Sequence, residues 1–140
     1  MSSRKIFIDA SVLYAFIDRA DPNHITAIKT IEQLSLQGVF LFTPFHAVLD
    51  TYSVIQKHMG SAVSQDFLDA MLESSIEVIY PQKADFRAAA RLLKLNRNRD
   101  ITLKEALTTV YMQKRGTLQI LTFTFWSNLL GSQSYLSTKL

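Results

Sequence analysis

Cysteine is absent from this chain of 140 residues, and glycine and proline are scarce, with four and three residues. The lack of cysteine excludes disulfide frameworks, thiolate metal sites and cysteine nucleophiles. A hydrophobic content of 48% and a charged content of 19% are typical of a globular domain and exclude a disordered or low-complexity chain. No run approaches the ~20 apolar residues of a membrane span, and the first residues have too short an apolar run for a secretory signal. We therefore expect a soluble, cytoplasmic protein.

The length and the charge of the chain limit the number of domains and the kinds of partner to be expected. We expect a single domain over residues 1–140, because domains usually have roughly 100 to 200 residues. The net charge of +3 mildly favours a polyanionic partner but does not identify one. No two of the three histidines stand at the spacing of metal ligands, so we expect His24, His46 and His58 to be surface or partly buried helix residues.

Strands and helices alternate in the sequence pattern. Short apolar runs predict buried strands at residues 6–8, 39–42, 76–80 and 118–121. Asp21 and Pro22 predict the start of a helix that ends before Gly38. Further helices are predicted at residues 45–59, which Gly60 ends, and at 61–73, 84–95 and 102–115. The apolar stripe of the helix at 45–59 is predicted to contain Phe45, Val48, Leu49, Tyr52, Ile55 and Met59.

This alternation predicts the fold class. Strands separated by helices of such length pair in parallel through right-handed crossovers. The expected architecture is a three-layer α/β/α fold, in which helices cover both faces of a parallel sheet of four or five strands. Ligands of such sheets bind beyond the carboxyl ends of the strands.

Three acidic residues fall near those ends. Asp9 directly follows the first strand, Asp50 lies in the helix after the second strand, and Glu105 lies in the first turn of the helix before the fourth strand. Each has a structural alternative: Asp9 as a turn or helix cap, Asp50 as an exposed surface residue, and Glu105 as part of a capping box with Thr102. Their joint order relative to the strands favours a functional cluster.

Four segments resemble, in the correct order and over nearly the whole chain, the motifs of the PIN-domain family, in particular the VapC-type toxin ribonucleases. KIFIDASVLYAFID resembles the opening strand with its acid, Asp9. FTPFHAVLDTYSVI resembles the second motif, with Asp50 in place of a glutamate, and ITLKEALTTVYMQKRG the third, with Glu105 in place of an aspartate. ILTFTFWSNLLG resembles the last motif, in which Thr124 replaces the aspartate.

The resemblance implies a metal-dependent endoribonuclease that cleaves single-stranded RNA. Asp9, Asp50 and Glu105 would hold Mg²⁺ or Mn²⁺, Thr122 would orient a carboxylate or a water, and Thr124 would offer only a neutral oxygen. Three acids instead of four favour one weakly bound metal ion. The family also implies a homodimer and a cognate antitoxin protein that covers the rim of the active site.

Basic and aromatic residues suggest where RNA would bind. One predicted helix face and the loop after it attract an RNA backbone, although an ordinary solvated face is the alternative; the residues are Arg87, Arg91, Lys94, Arg97 and Arg99. Phe123, Phe125 and Trp126 are able to stack on bases, but we expect them to pack in the core.

Two other functions stay open. The loss of the acid at Thr124 favours a PIN-like protein without catalysis that serves as an RNA-binding or protein-interaction module. A nucleotide-binding regulator of the flavodoxin-like kind is disfavoured, because no glycine-rich phosphate loop follows the first strand. Metal-dependent cleavage of single-stranded RNA, compared with an Asp9→Ala variant, separates the first of these from the nuclease.

Overall fold

Five parallel strands form the central sheet of the computed structural model, which describes residues 4–135. The predicted domain boundaries at residues 1 and 140 therefore lie outside the described residues. The strand order is β3-β2-β1-β4-β5, and every neighbouring pair is parallel. The strands are β1 (Lys5–Ile8), β2 (Phe40–Pro44), β3 (Glu77–Ile79), β4 (Gln119–Leu121) and β5 (Gln133–Ser134).

Helices cover both faces of this sheet. Side chains alternate along a strand, so Ile6 and Ile8 of β1 pack into the large core cluster, whereas Phe7 packs on the opposite face. The first face carries α1 (Ala10–Ile17), α2 (His24–Leu36), α3 (Phe45–Met59) and α4 (Ser61–Glu73), and the second carries α5 (Lys83–Leu95) and α6 (Leu103–Lys114). The expected three-layer α/β/α fold is confirmed. Within residues 4–135, none of the helices combines the length and the apolar character that crossing a bilayer requires.

Most predicted elements occur, with differences at particular residues. Helix α3 has the predicted bounds, and Gly60 after it has a φ of 91°, a conformation that favours glycine. The predicted start at Pro22 is wrong, since α2 begins at His24 and the Asp21 side chain instead accepts a hydrogen bond from the Asn23 amide at 2.8 Å. Leu49 was wrongly placed on the buried stripe, because it is 51% exposed.

Candidate functional site

Asp9 stands where β1 ends and α1 begins. Its Oδ1 accepts hydrogen bonds from the Ser11 backbone amide at 3.0 Å and from Ser11 Oγ at 2.6 Å, so Asp9 is the N-cap of α1. Its Oδ2 accepts a hydrogen bond from Thr122 Oγ1, and the Asp9 amide donates to the Leu121 carbonyl at 3.2 Å. Burial raises the pKa of Asp9, and the hydrogen bonds from Ser11 and Thr122 oppose that rise only in part. The carboxylate is thus held in one orientation by groups from two neighbouring segments.

The segment after β4 brings two threonines to this carboxylate. Thr122 is buried, and its Oγ1 lies 3.0 Å from Thr124 Oγ1 and accepts a hydrogen bond from the Thr124 amide at 3.1 Å. Thr124 Oγ1 in turn donates to Asp9 Oδ2 at 3.5 Å. The Phe123 amide donates to Ser11 Oγ at 2.9 Å, which ties the same segment to the start of α1. Position 124 is therefore adjacent to the first predicted acid.

Glu105 connects α6 to the loop that follows β4. Its amide donates to Thr102 Oγ1 at 3.1 Å, so Thr102 is the N-cap of α6, as its spacing from Glu105 suggests. The Glu105 carboxylate also accepts a hydrogen bond from the Ser127 amide at 3.2 Å, and the Arg99 guanidinium donates to the Ser127 carbonyl. Thr102 caps the helix through the Glu105 backbone amide, so this cap does not keep the Glu105 carboxylate out of the site.

Asp50 forms an ion pair with a residue that the sequence analysis did not single out. The distance from Lys104 Nζ to Asp50 Oδ2 is 2.5 Å, and the two side chains are 58% and 41% exposed. One turn before Asp50, His46 Nε2 lies 3.3 Å from Thr108 Oγ1. Burial lowers the pKa of His46 to about 4, with Asp50 opposing the shift and Lys104 adding to it. The imidazole is therefore neutral near pH 7.

One open cleft with about 190 Å³ of space brings the three predicted acids together. Its lining includes Asp9, Asp50, Glu105 and Thr124 together with His46, Lys104, Thr108, Phe125 and Trp126. Within residues 4–135, no three histidine or carboxylate side chains lie close enough together to form a ready-made metal site. The cleft therefore gathers carboxylates without a preformed coordination shell. A separate apolar pocket between α1 and α4, of about 150 Å³, has no charged lining residue.

The aromatic residues beside the cleft fall into two groups. Phe123 packs against the large core cluster, and Trp126 packs against the cluster around Phe7 on the opposite face of the sheet, while its Nε1 donates to Ser132 Oγ at 2.9 Å. The expected core packing is confirmed for these two. It is wrong for Phe125, which is 81% exposed and lines the cleft. An aromatic face is thus open to solvent next to the predicted acids.

The predicted basic face is exposed, but its residues do not line the cleft. Arg97 Nε donates to the Lys94 carbonyl at 3.3 Å, and Arg99 holds Ser127 in the loop that also contacts Glu105. Arg99 therefore links the basic segment to the loop beside the cleft. Arg87 and Arg91 lie further back on α5.

Sequence reasoning missed His46, Lys104 and Phe125 as lining residues. His46 precedes Asp50 by four residues, and this spacing places two side chains on one helix face, so a signal was present. Lys104 directly precedes Glu105, but its meeting with Asp50 joins residues 54 positions apart and leaves no local pattern.

Comparisons with known proteins agree with this fold. The PIN domain family matches residues 6–123. Among solved structures, the toxin VapC20 of Mycobacterium tuberculosis, described as cleaving the sarcin-ricin loop, matches with a TM-score of 0.71 and 19% identity over 85% of this chain and 89% of the other. No curated protein matches the sequence. At this identity the likeness to VapC20 shows a common fold, whereas the family match spans most of the chain and includes Asp9, Asp50 and Glu105. The chain belongs to the PIN domain family.

Proposed function

We propose that this protein is a metal-dependent endoribonuclease that hydrolyses phosphodiester bonds in single-stranded RNA. Membership of the PIN domain family supports a nuclease. The observation that carries the proposal is that Asp9, Asp50 and Glu105, far apart in the sequence, line one cleft together with Thr124. A cluster of carboxylates at the carboxyl ends of parallel strands suits cation-assisted chemistry on a phosphodiester.

The donor set fits a hard divalent cation by its chemistry. Mg²⁺ and Mn²⁺ prefer carboxylate and water oxygens, and Mg²⁺ usually needs only one or two protein carboxylates plus substrate phosphate. Asp9, Asp50 and Glu105 would hold the ion, and when bound it would polarise a phosphoryl oxygen and lower the pKa of a bound water. Because residues 4–135 contain no ready-made group of three such ligands, we expect weak binding, in the millimolar range, without substrate.

The side chains around the acids support the rest of the mechanism. Ser11 and Thr122 hold the Asp9 carboxylate through hydrogen bonds, so that one ligand is oriented before a cation arrives. Neutral His46 adds no positive charge to the cleft at pH 7. The exposed ring of Phe125 offers a face on which an unpaired base can stack, and this supports a single-stranded substrate.

The test is cleavage of a single-stranded RNA by purified protein with and without Mg²⁺ or Mn²⁺. We expect cleavage to require the metal and to fall about 100-fold or more in Asp9→Ala, since a lost ligand weakens metal binding at least as much as a lost supporting group. Asp66→Ala on the exposed face of α4 removes the same charge away from the cleft and should cleave like the wild type. Cleavage that survives Asp9→Ala would place the activity elsewhere or in a contaminant.

A second candidate, a PIN-like RNA-binding or protein-interaction module without catalysis, is favoured by two observations. Thr124 supplies no charge beside Asp9, and Lys104 already neutralises Asp50. Such a protein would leave the single-stranded RNA intact in the presence of metal, whether or not it binds the RNA, and Asp9→Ala would not change this result.

The biological setting is proposed from the family alone. We expect a single domain that acts in the cytoplasm as a homodimer, together with an antitoxin protein that covers the rim of the cleft. Size-exclusion chromatography with light scattering tests the dimer, and the neighbouring open reading frame tests the antitoxin.

A further inference from the structure

Lys104 places an ammonium group inside the acidic cleft. Its Nζ lies 2.5 Å from Asp50 Oδ2, and both residues line the same cleft as Asp9 and Glu105. The contact joins the first turn of α6 to the middle of α3. It thus spans the cleft between the two helices that carry the second and third acids.

Lys104 does not stabilise α6 from its position in the first turn. The N-terminal end of a helix carries partial positive charge, so a lysine in the first turn is unfavourable there by a few tenths of a kcal/mol. Thr102 and Glu105 suit that end, because Thr102 caps the helix and Glu105 brings a negative charge to its first turn. The favourable interaction of the Lys104 ammonium is the one with Asp50.

The charges of the cleft add up to what one divalent cation can neutralise. Asp9, Asp50 and Glu105 bring three negative charges when ionised, Lys104 brings one positive charge, and neutral His46 brings none. The formal sum is minus two, which a single divalent ion balances. A second ion would leave the cleft with excess positive charge.

We infer that Lys104 is a tethered cation that competes with divalent metal for Asp50 and so weakens the binding of the one ion that the charge of the cleft can balance. The inference rests on the proposed function only in that the cleft binds metal. The ion pair is exposed on both sides, and such pairs are worth little, so a metal ion can displace the ammonium. Lys104 thereby sets the metal concentration at which the site fills.

The experiment measures Mn²⁺ binding to the full chain by electron paramagnetic resonance of the free ion, without RNA. Lys104→Met keeps the length of the side chain and removes its charge, and the loss should not harm α6. We expect Lys104→Met to bind one Mn²⁺ about threefold more tightly than the wild type, the factor that an exposed ion pair allows. Lys57→Met is the matched control, because Lys57 is exposed on α3 about two turns beyond Asp50.

Each possible result either supports the inference or overturns it. A gain in Lys104→Met that is absent from Lys57→Met, and that disappears when Asp50→Asn is added, supports the inference. Equal affinity in wild type and Lys104→Met, a gain that persists with Asp50→Asn, or no Mn²⁺ binding by any variant would overturn it. RNA cleavage is measured separately, so failure of the proposed nuclease activity would leave the metal-binding result to be judged by itself.

Discussion

At the scale of single residues, positions 124 and 104 both reduce the negative charge around Asp9. Thr124 supplies a hydroxyl at 3.5 Å from Asp9 Oδ2, at the position where the resemblance of the sequence leads us to expect an aspartate. Lys104 neutralises Asp50 across the cleft. Asp9 itself is held by Ser11 and Thr122, and its burial makes the charged form costly until a cation is bound. The first proposed ligand is therefore kept in place while the negative charge around it is reduced.

Thr124→Asp should strengthen this site. A new carboxylate next to Asp9 raises the pKa of both groups by repulsion until a cation binds, so metal affinity gains more than from an isolated acid. We expect about tenfold tighter Mn²⁺ binding, the effect of one pKa unit of interaction, and faster Mn²⁺-dependent cleavage of single-stranded RNA. Both are measured on the same protein samples, by Mn²⁺ titration and by gel analysis of the RNA.

Two further variants serve as controls for this prediction. Thr26→Asp adds the same charge on the exposed side of α2 and should change neither measurement. Asp9→Ala in the Thr124→Asp background should remove both gains. Tighter metal binding without faster cleavage would favour the binding module, and no gain of either kind would contradict the placement of residue 124 at the metal.

At the scale of helices and strands, the sequence predicts elements well where local signals agree. Helix α3 begins directly after Pro44, the last residue of β2, and Gly60 follows its last residue, so the signals at both ends are local. The first four strands also lie within one or two residues of their predicted positions, as expected from apolar runs, whereas β5 was not predicted. Asp9 is located for the same reason, since the end of a strand can be read from sequence, whereas Asp50 and Glu105 lie on helices and are selected by their order along the chain and by the family resemblance.

The errors arise where the start of a helix or the burial of a side chain depends on tertiary contacts or on competing local hydrogen bonds. Asp21 was expected to cap α2, but its side chain forms a tighter turn with Asn23 and the helix starts later. Leu49 fits the apolar stripe of α3 by spacing, yet the buried places go to Ala47 and Thr51, and Thr51 Oγ1 donates back to the Ala47 carbonyl at 2.7 Å. The exposure of Phe125 depends on the path of the loop after β4, which no periodicity encodes.

One ion pair joins α5 to α6 and should stabilise the folded protein. Asp85 is buried on α5, where its Oδ2 accepts from the Gln82 amide at 2.9 Å, and it pairs with Lys114 of α6. Burial raises the pKa of Asp85, but the bonds from Lys114 and Gln82 and the charges of Lys114 and Arg115 outweigh it and hold the pKa below 3.8. Asp85→Ala should therefore lower the free energy of unfolding by about 2 kcal/mol at pH 7, less than for a fully buried pair because Lys114 is half-exposed.

The pH dependence of this loss has a definite sign. A depressed pKa in the folded state stabilises the fold above the unfolded value of 3.8, and the stabilisation disappears as pH falls through the lower folded value. Urea unfolding at several pH values should show a constant difference between wild type and Asp85→Ala above about pH 5 that shrinks below 3.8. Asp66→Ala, on the surface of α4, should show no such difference; a pH-independent loss in Asp85→Ala would mean that packing, not charge, holds the two helices together.

At the scale of the whole molecule, the exposed basic residues and the acidic cleft occupy different parts of the surface. The protein has a net charge of +3, although its cleft is acidic. A cluster of exposed basic residues lies on α5 and in the loop after it: Arg87, Arg91, Lys94, Arg97 and Arg99. Arg99 holds Ser127, whose amide donates to Glu105 in the cleft wall, so the basic surface leads to the acids through one short loop. A polyanion would bind the basic surface while its scissile phosphate meets the metal.

The triple substitution Arg87→Ala, Arg91→Ala and Lys94→Ala tests this arrangement. Each phosphate contact to single-stranded nucleic acid adds about 0.7 to the slope of log affinity against log salt, so losing three contacts should lower the slope by about 2. RNA affinity measured by fluorescence anisotropy at several salt concentrations gives both quantities. The matched control replaces three exposed cations elsewhere, Arg19, Lys29 and Lys57, and removes the same net charge. If net charge alone attracts RNA, both triple variants will lose affinity and slope equally, and the basic surface of α5 will have no special role; a loss confined to the first variant identifies α5 as the surface that binds RNA.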